Sequence, residues 1–277
     1  MIMSWKNWFK KNNKIKPVKI VRQKNLKPHF NMIAASDIGV DRLKNEDFNA
    51  AGMNRYNEQI LFVCDGLGGY EGGKEAASIL GETIIDASWK THFQKMSTTE
   101  LKNWFVDTIN EAKFKINKFI TNHPENHKMA STLALAIITK NDIFAFNIGD
   151  SRIYGIDQDR VIQISEDHNF YNFLLKQKLS PAEISAYGNQ VYAIVNYVGS
   201  FDEVEVKYDF FQFSKDQFDW IFCTSDGVHN FLTAEELKLE ILAPIKIELI
   251  ADNIIKKALA SMSNDNLSIS LTKIKIH

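Results

Sequence analysis

LFVCDGLGGYEGG, residues 61–73, is the stretch from which the rest of the chain can be read. Four apolar residues lead to Asp65. Then Gly66, Gly68, Gly69, Gly72 and Gly73 break any regular pattern, and a helical pattern starts at Lys74. An apolar run ending in an acid and glycines reads as a buried strand that delivers a carboxylate to a loop. The glycines permit sharp turns and close approach to a ligand. A carboxylate at the lip of a sheet suits a hard divalent cation. Two rival readings stand beside this one. Asp65-Gly66 also fits a plain hairpin turn. Gly68 to Lys74 fits the G-x-x-x-x-G-K spacing of a nucleotide-binding loop, but Glu75 stands where that loop needs a Ser or Thr hydroxyl, and its charge would repel phosphates.

The 277 residues are 45% hydrophobic and 24% charged. That is the balance of a soluble globular chain, and the length suffices to bury a core without staples. The two cysteines, Cys64 and Cys223, both lie in apolar runs. A disulfide framework is therefore not expected, and a cytoplasmic, reducing compartment is the expected location. No apolar run reaches the roughly 18 residues of a membrane span, and the N-terminus lacks a secretory h-region.

Charge is unevenly spread. Residues 1–36 hold nine of the 33 Lys and Arg and none of the 34 Asp and Glu, so the remainder, 24 basic against 34 acidic, carries −10. Residues 1–30 read as a basic N-terminal arm on a domain spanning 31–277. In the arm Lys residues mix with Trp5, Trp8, Phe9 and Ile15, and Pro17 and Pro28 punctuate it. Either this is a loosely packed arm, or it docks on an anionic membrane surface or a protein partner, which would place the chain peripherally at an inner membrane surface. The acidic body argues against nucleic acid as a partner, and a monomer is expected.

Periodicity gives the elements. Met32–Ala35 and Gln59–Cys64 are apolar runs of strand length. Residues 74–92 and 98–120 carry helical stripes, the second through Leu101, Phe105, Ile109, Ala112, Ile116 and Phe119, with Thr98 or Thr99 as its cap. Thr132–Thr139, Ile143–Ile148, Arg152–Ile156 and Val161–Ile164 form a meander of antiparallel strands. Residues 169–185 are more helical. Val204, Val206, Tyr208 and Phe210 alternate with polar residues and predict a half-buried strand. Trp220–Thr224 is a buried strand, helices follow at 233–241 and 246–260, and Leu267–Thr272 closes the chain as a strand. Helix pairs between groups of antiparallel strands indicate an α+β fold. Two mainly antiparallel sheets face to face with helix pairs outside, a four-layer α-β-β-α sandwich, would bury every stripe.

Asp37, Asp65, Asp150, Asp226 and Asp265 each fall within a few residues of a predicted strand end. Singly, each reads as a turn residue. Together they form a set that a sandwich would bring to one rim, where carboxylates repel unless cations neutralise them. Oxygen-only ligands without Cys/His spacing point to magnesium or manganese, not zinc. Two such cations about 3.5–4 Å apart can share a water and lower its pKa from ~15.7 toward ~7, making a hydroxide nucleophile at neutral pH.

The ordered segments SDIGVDRLKNED (36–47), DGLGGYEGG (65–73), STLALAIITKNDIFAFNIGDSRIY (131–154), SEDHNF (165–170), CTSDGV (223–228) and NDNLSISL (264–271) resemble the PPM family, the metal-dependent protein Ser/Thr phosphatases of type 2C, in their bacterial form. The resemblance covers residues 32–275. It implies a β-sandwich flanked by helix pairs with two Mn2+ or Mg2+ ions in a cleft at one end. Asp65 is then the bridging ligand, the Gly66 carbonyl binds one metal, and Asp226 and Asp265 complete the main site. Asp150 matches a weaker third site. Arg42 matches the arginine that holds the substrate phosphate, and Asp47, after Glu46, acts through metal-bound water. Asp37 matches an early Asp of structural character. The catalytic set is thus Arg42, Asp65 and Asp226, and the partners are phosphorylated proteins, the targets of a Ser/Thr kinase.

The chain departs from the family in places. Leu67 stands where animal members have a His proposed as the acid for the leaving oxygen. His168 and His229 are near in sequence but read as structural. Ala130 replaces a Gly, Asn230 replaces a further Asp of the animal enzymes, and residues 169–198 match the family's flap poorly. Two activities follow: turnover of phosphoserine and phosphothreonine, or a pseudophosphatase that binds phosphoproteins without hydrolysing them.

Overall fold

The computed structural model describes residues 19–20, 25–67, 72–158, 160–199 and 207–275. The aromatic, lysine-rich segment of the N-terminal arm and residues 68–71 of the glycine loop lie outside these. In chain order the strands and helices are β1 (Lys19–Ile20), β2 (Met32–Asp37), β3 (Phe48–Met53), β4 (Gln59–Cys64), β5 (Gly66–Leu67), α1 (Gly73–Lys90) and α2 (Thr98–Asn122). Next come β6 (Ala130–Ser131), β7 (Leu133–Ile138), β8 (Asp142–Ile148), β9 (Arg152–Asp157), β10 (Arg160–Gln163), α3 (Phe170–Lys176) and α4 (Pro181–Ser185). The last are β11 (Val198–Gly199), β12 (Asp209–Ser214), β13 (Trp220–Thr224), α5 (Asp226–His229), α6 (Ala234–Ile241), α7 (Ile247–Ala260) and β14 (Leu267–Lys273).

Among the described residues, one sheet runs β1-β2-β14-β13-β9-β10 and the other β12-β8-β7-β4-β3, with a small third sheet β11-β6-β5. The pairings are antiparallel. The expected four-layer sandwich is what forms. Alternation along each strand sorts its side chains between two cores. In β4, Ile60, Phe62 and Cys64 pack toward α1 and α2, while Leu61 and Val63 face the opposite sheet. In β13, Trp220 and Phe222 pack toward α6 and α7, while Ile221 and Cys223 face inward.

β14 shows why the inner layer is not wholly apolar. Leu267, Ile269 and Leu271 pack on the helices, and Ser268, Ser270 and Thr272 are fully buried against the other sheet. Buried hydroxyls need partners. The Ser270 hydroxyl donates to Phe62 O at 2.9 Å and the Thr272 hydroxyl to Gln59 Oε1 at 2.8 Å, so the polar face of β14 joins the two sheets. Asn49 of β3 returns the tie by donating to Ala35 O and Ile269 O.

Three features differ from the sequence expectations. α2 is capped by Ser97, not Thr98 or Thr99, because Ser97 stands three residues before Glu100 and completes a capping box with it. The strand expected at Val204–Phe210 begins instead at Asp209; residues 200–206 lie outside the described residues. Past Phe210, β12 puts Phe211 and Phe213 on the inter-sheet core while Phe210 packs on the helix side, so it presents apolar groups to both faces. β3 has little strand character in its sequence, FNAAGM, and is held by its register with β4. The substitution at Ala130 is absorbed by Gly199 opposite it on β11, where an added Cβ would lie 2.9 Å from the Ala130 methyl.

The chain enters along the open side of the sandwich. Lys19–Ile20 pairs with β2 of the first sheet, and Lys27 exchanges two backbone hydrogen bonds of 2.8 Å with Met53 of β3 in the second. Leu26 between them is buried in the helix-side core. No helix of the described residues is long and apolar enough to cross a membrane.

Candidate metal centre and active site

The sandwich gathers the predicted acids because their strands end at one rim. β4 delivers Asp65. Its backbone N–H donates to Thr132 Oγ1 at 3.0 Å, and its carbonyl accepts from Thr132 N at 2.9 Å. The same Thr132 hydroxyl shares a 2.6 Å hydrogen bond with Ser151, which fixes the turn presenting Asp150. Gly66 follows Asp65 into a space without room for a side chain: a Cβ there would lie 2.2 Å from Gly73 O and 2.6 Å from Glu46 O. The Gly66 backbone is thus pressed between the start of α1 and the segment carrying Asp47.

Asp226 opens α5 directly after β13. Its neighbour Gly227 passes so close to the next loop that a Cβ would lie 2.0 Å from Asn266 O, and this brings Asp226 beside Asp265. Ser225 accepts from Ser268 N at 2.9 Å and donates to Asp47 Oδ2 at 2.8 Å, which aims Asp47 at the same rim. Arg42 lies on the exposed lip of the β2–β3 loop, and its guanidinium reaches Asp265 Oδ2 at 2.6 Å. Asp37 has a different role: its carboxylate accepts from Gly39 N at 2.8 Å and closes a turn.

The electrostatics are those of crowded acids. Burial, and then repulsion from Asp47, Asp226, Asp150 and Asp265, pushes Asp65 well above the usual carboxylate range. Burial also raises Asp47, against the pull of Ser225, and it raises Asp226, with Asp265 adding to the effect. Asp150 is pushed up to about 7 by burial, then by Asp226 and Asp167. Burial raises Glu46 as well.

The donor set fits divalent cations. Asp150 Oδ1 is buried without a hydrogen-bond partner, a costly state for an acceptor unless a cation or water meets it. Among the described residues, no group of three or more His, Cys, Asp and Glu is placed to hold a metal ion by itself, so any cation here would take at most two of these side chains and fill its shell with backbone carbonyls and water. An open rim where each cation takes few protein oxygens and keeps its waters suits magnesium or manganese, whereas structural zinc is held by four nitrogen or sulfur ligands.

The neighbouring histidines are committed elsewhere. His168 Nδ1 accepts from Gly149 N and Asn196 Nδ2, and its Nε2 faces Asp209 Oδ2 at 3.0 Å. His229 is buried against the Thr224 hydroxyl, and burial holds it neutral, well below the usual imidazole range. Leu67 pairs with Ala130 on the small sheet.

A groove of about 1200 Å³ runs from Asp150, Asp226 and Asn230 to the α3–α4 segment, lined there by Tyr171, Ile184 and Tyr192. That segment has a small core of its own in Leu174, Ile184 and Val191. It is tied down through Asp167, whose carboxylate takes Arg152 Nε at 2.8 Å and Nη2 at 2.6 Å. A smaller cleft of about 380 Å³ between α1 and α2 includes none of the acids. Thr132, Ser225, Asn266 and the Arg152–Asp167 pair were not read from the sequence. The available signal was that each stands beside, or within two residues of, a residue that was.

The model of the family described as protein phosphatase 2C matches residues 40–262. A putative protein phosphatase of Mycoplasma pneumoniae is 33% identical over 241 residues, 86% of this chain and 93% of the relative. The serine/threonine phosphatase stp of Listeria welshimeri is 26% identical over 86% of this chain and 93% of its own. Among solved structures, the serine/threonine phosphatase Stp1 of Staphylococcus aureus superposes with a TM-score of 0.78 at 26% identity, over 92% of this chain and 99% of that one.

Proposed function

Because the chain belongs to the protein phosphatase 2C family, we propose that it hydrolyses phosphoserine and phosphothreonine in proteins. In this reading Asp47, Asp65, Gly66, Asp150, Asp226 and Asp265 hold two Mn2+ or Mg2+ ions and a weaker third, and Arg42 holds the substrate phosphate. The observation that carries it is the rim of mutually repelling carboxylates with a guanidinium at its lip. When bound, the cations supply Lewis acidity and an acidified water at neutral pH.

The chain's own residues do the remainder. Arg42 already leans onto the rim through Asp265. A phosphoryl group arriving there offers its planar fork a doubly charged acceptor, a better match than one carboxylate oxygen. Asp65 and Asp226 orient the attacking water by accepting its hydrogen bonds. Ser225 keeps Asp47 from swinging away. Thiol attack does not compete, since burial raises both Cys64 and Cys223. Leu67 has no proton to give, His229 is neutral and His168 is engaged, so the departing serine or threonine oxygen takes its proton from solvent in the groove. The substrates are phosphoproteins, the products of a Ser/Thr kinase.

The test is phosphate release from a phosphothreonine peptide as manganese is titrated. Release should depend on the metal and fall at least about 100-fold in Asp226→Asn. Full activity of the metal-stripped protein, or tight peptide binding with no turnover at saturating manganese, would refute the reading.

A further inference from the structure

The loop from Ile38 to Glu46 carries Arg42 at its tip and has little packing to hold it. Val40, Asp41, Arg42, Leu43 and Lys44 are exposed, Leu43 by 97%. A loop of that kind ordinarily samples many shapes, yet phosphate capture by a single guanidinium needs one. The two ends of the loop meet on one side chain. Asn266, 3% exposed, donates from Nδ2 to Ile38 O at 2.8 Å and to Lys44 O at 2.9 Å, and its Oδ1 accepts from Glu46 N at 2.8 Å. Two carbonyls six residues apart are thereby drawn to one nitrogen, and the loop closes like a clasp.

We propose that Asn266 is the positioning residue for phosphate capture: by clasping both ends of the Arg42 loop it holds the guanidinium at the acid rim. The inference rests on the reading of Arg42 given above. The chemistry demands this residue type, because the position needs two donors and an acceptor on one planar group. Aspartate offers no donor when ionised, serine offers one, and alanine offers none. Asn45 donates to Ser36 and accepts from Asp47 N, which secures the β3 end of the loop, and the Asp37 carboxylate takes Gly39 N at the other end; Asn266 is the side chain that bonds both ends at once. Sequence adjacency adds the coupling: Asp265 takes the Arg42 guanidinium, and the next residue holds the loop on which Arg42 rides.

A double-mutant cycle on the manganese-loaded protein tests this. Arg42→Ala should lower kcat/KM for a phosphothreonine peptide by roughly 10- to 100-fold, the range for a lost charged hydrogen bond. Asn266→Ala should cost about tenfold, mostly in KM, and raise the inhibition constant of inorganic phosphate in proportion. In the Arg42→Ala background Asn266→Ala should then cost less than about twofold, since nothing remains to position. Asn266→Asp, which keeps the volume, should behave as Asn266→Ala does, and it replaces that variant in the cycle if the latter does not fold. Fully additive losses would overturn the proposal. So would restoration of either Asn266 variant by excess manganese, which would mean that Asp265 had been disturbed instead. A wild type without metal-dependent turnover would fail the functional reading itself and this proposal with it, whereas an additive cycle in an active wild type fails the proposal alone.

Discussion

Replacing Asp167 by Asn removes one charge from a pair that ties β9 to the α3–α4 segment. Asp167 accepts Arg152 Nε at 2.8 Å and Nη2 at 2.6 Å, and Gln163 Nε2 adds a third bond at 3.1 Å. Asparagine keeps the shape but turns an amide N–H toward the guanidinium, leaving Arg152 charged and partly unpaired. Breaking a fully buried pair from one side costs about 3–5 kcal/mol. Here the side chains are 24% and 9% exposed, so water recovers part of that cost, and about 2–3 kcal/mol is expected. For a chain of this size about 2–4 °C of Tm follows each kcal/mol, so Asp167→Asn should melt roughly 5–10 °C lower by circular dichroism in EDTA. Arg152→Met/Asp167→Leu should recover much of the loss, because neither charge then stays buried alone. A further consequence runs the other way. Asp167 helps push Asp150 upward, so the variant should ionise Asp150 more readily and bind manganese more tightly near pH 6. A Tm change under about 2 °C, or a double variant no better than the single, would refute this account of the pair.

Three more expectations follow from the structure. The raised carboxyls make the metal-free folded state hold protons that the unfolded chain releases near pH 4; the stability they contribute is full below that pH and is lost as pH rises through about 7 for Asp150. Metal-free Tm should therefore fall from pH 6.5 to 8 and manganese should stabilise more at pH 8, whereas a metal-free Tm that climbs over that window would contradict it; below pH 6.5 the depressed His229 produces the opposite slope. Gly81→Ala places a Cβ 2.2 Å from the Phe48 ring, so the helix-propensity gain of about 1 kcal/mol should be outweighed by overpacking, for a net loss of about 1–2 kcal/mol in urea unfolding; a stabilised variant would show that the ring moves freely. Leu67→His supplies a proton donor beside the rim, so turnover of a phosphothreonine peptide should rise relative to that of p-nitrophenyl phosphate, whose leaving group needs no acid; an unchanged ratio would show that protonation of the leaving group does not limit the reaction.

Of the site residues, Asp47 and Arg42 came only from the family resemblance. Asp65, Asp150 and Asp226 stood out in the sequence because each follows an apolar strand with an abrupt polar end, a contrast the other two lack, and that contrast is local. The stripe of α2 was legible for the same reason. The supports of the site were not. Asn266 sits in a run, Asn-Asp-Asn, that reads as a turn, and its partner Ile38 lies 228 residues away. Ser268, Ser270 and Thr272 have the alternation of a strand with one wet face, yet that face meets the second sheet, because β14 lies in the middle of its own. β5, β6 and β11 are two residues each, too short for any period to show. β12 was displaced because alternation through Phe210 gave no sign that Phe211 and Phe213 would find a core on the other side.

The entry of the chain along the side of the sandwich matters for how the protein is handled. β2 and β3 would otherwise be the outermost strands of their sheets, each with a row of open N–H and C=O groups on the same flank. Rows of that kind template pairing with other chains. Lys19–Ile20 and Lys27 occupy part of both, and Lys27 adds a charge of the sort that discourages strand-to-strand association. The basic N-terminal segment is therefore not cleanly separable at residue 30. Shortening the chain to residue 18 removes the aromatic, lysine-rich part and leaves both margins covered. Shortening it twelve residues further would bare them together, and insolubility would then be mistaken for loss of a docking function.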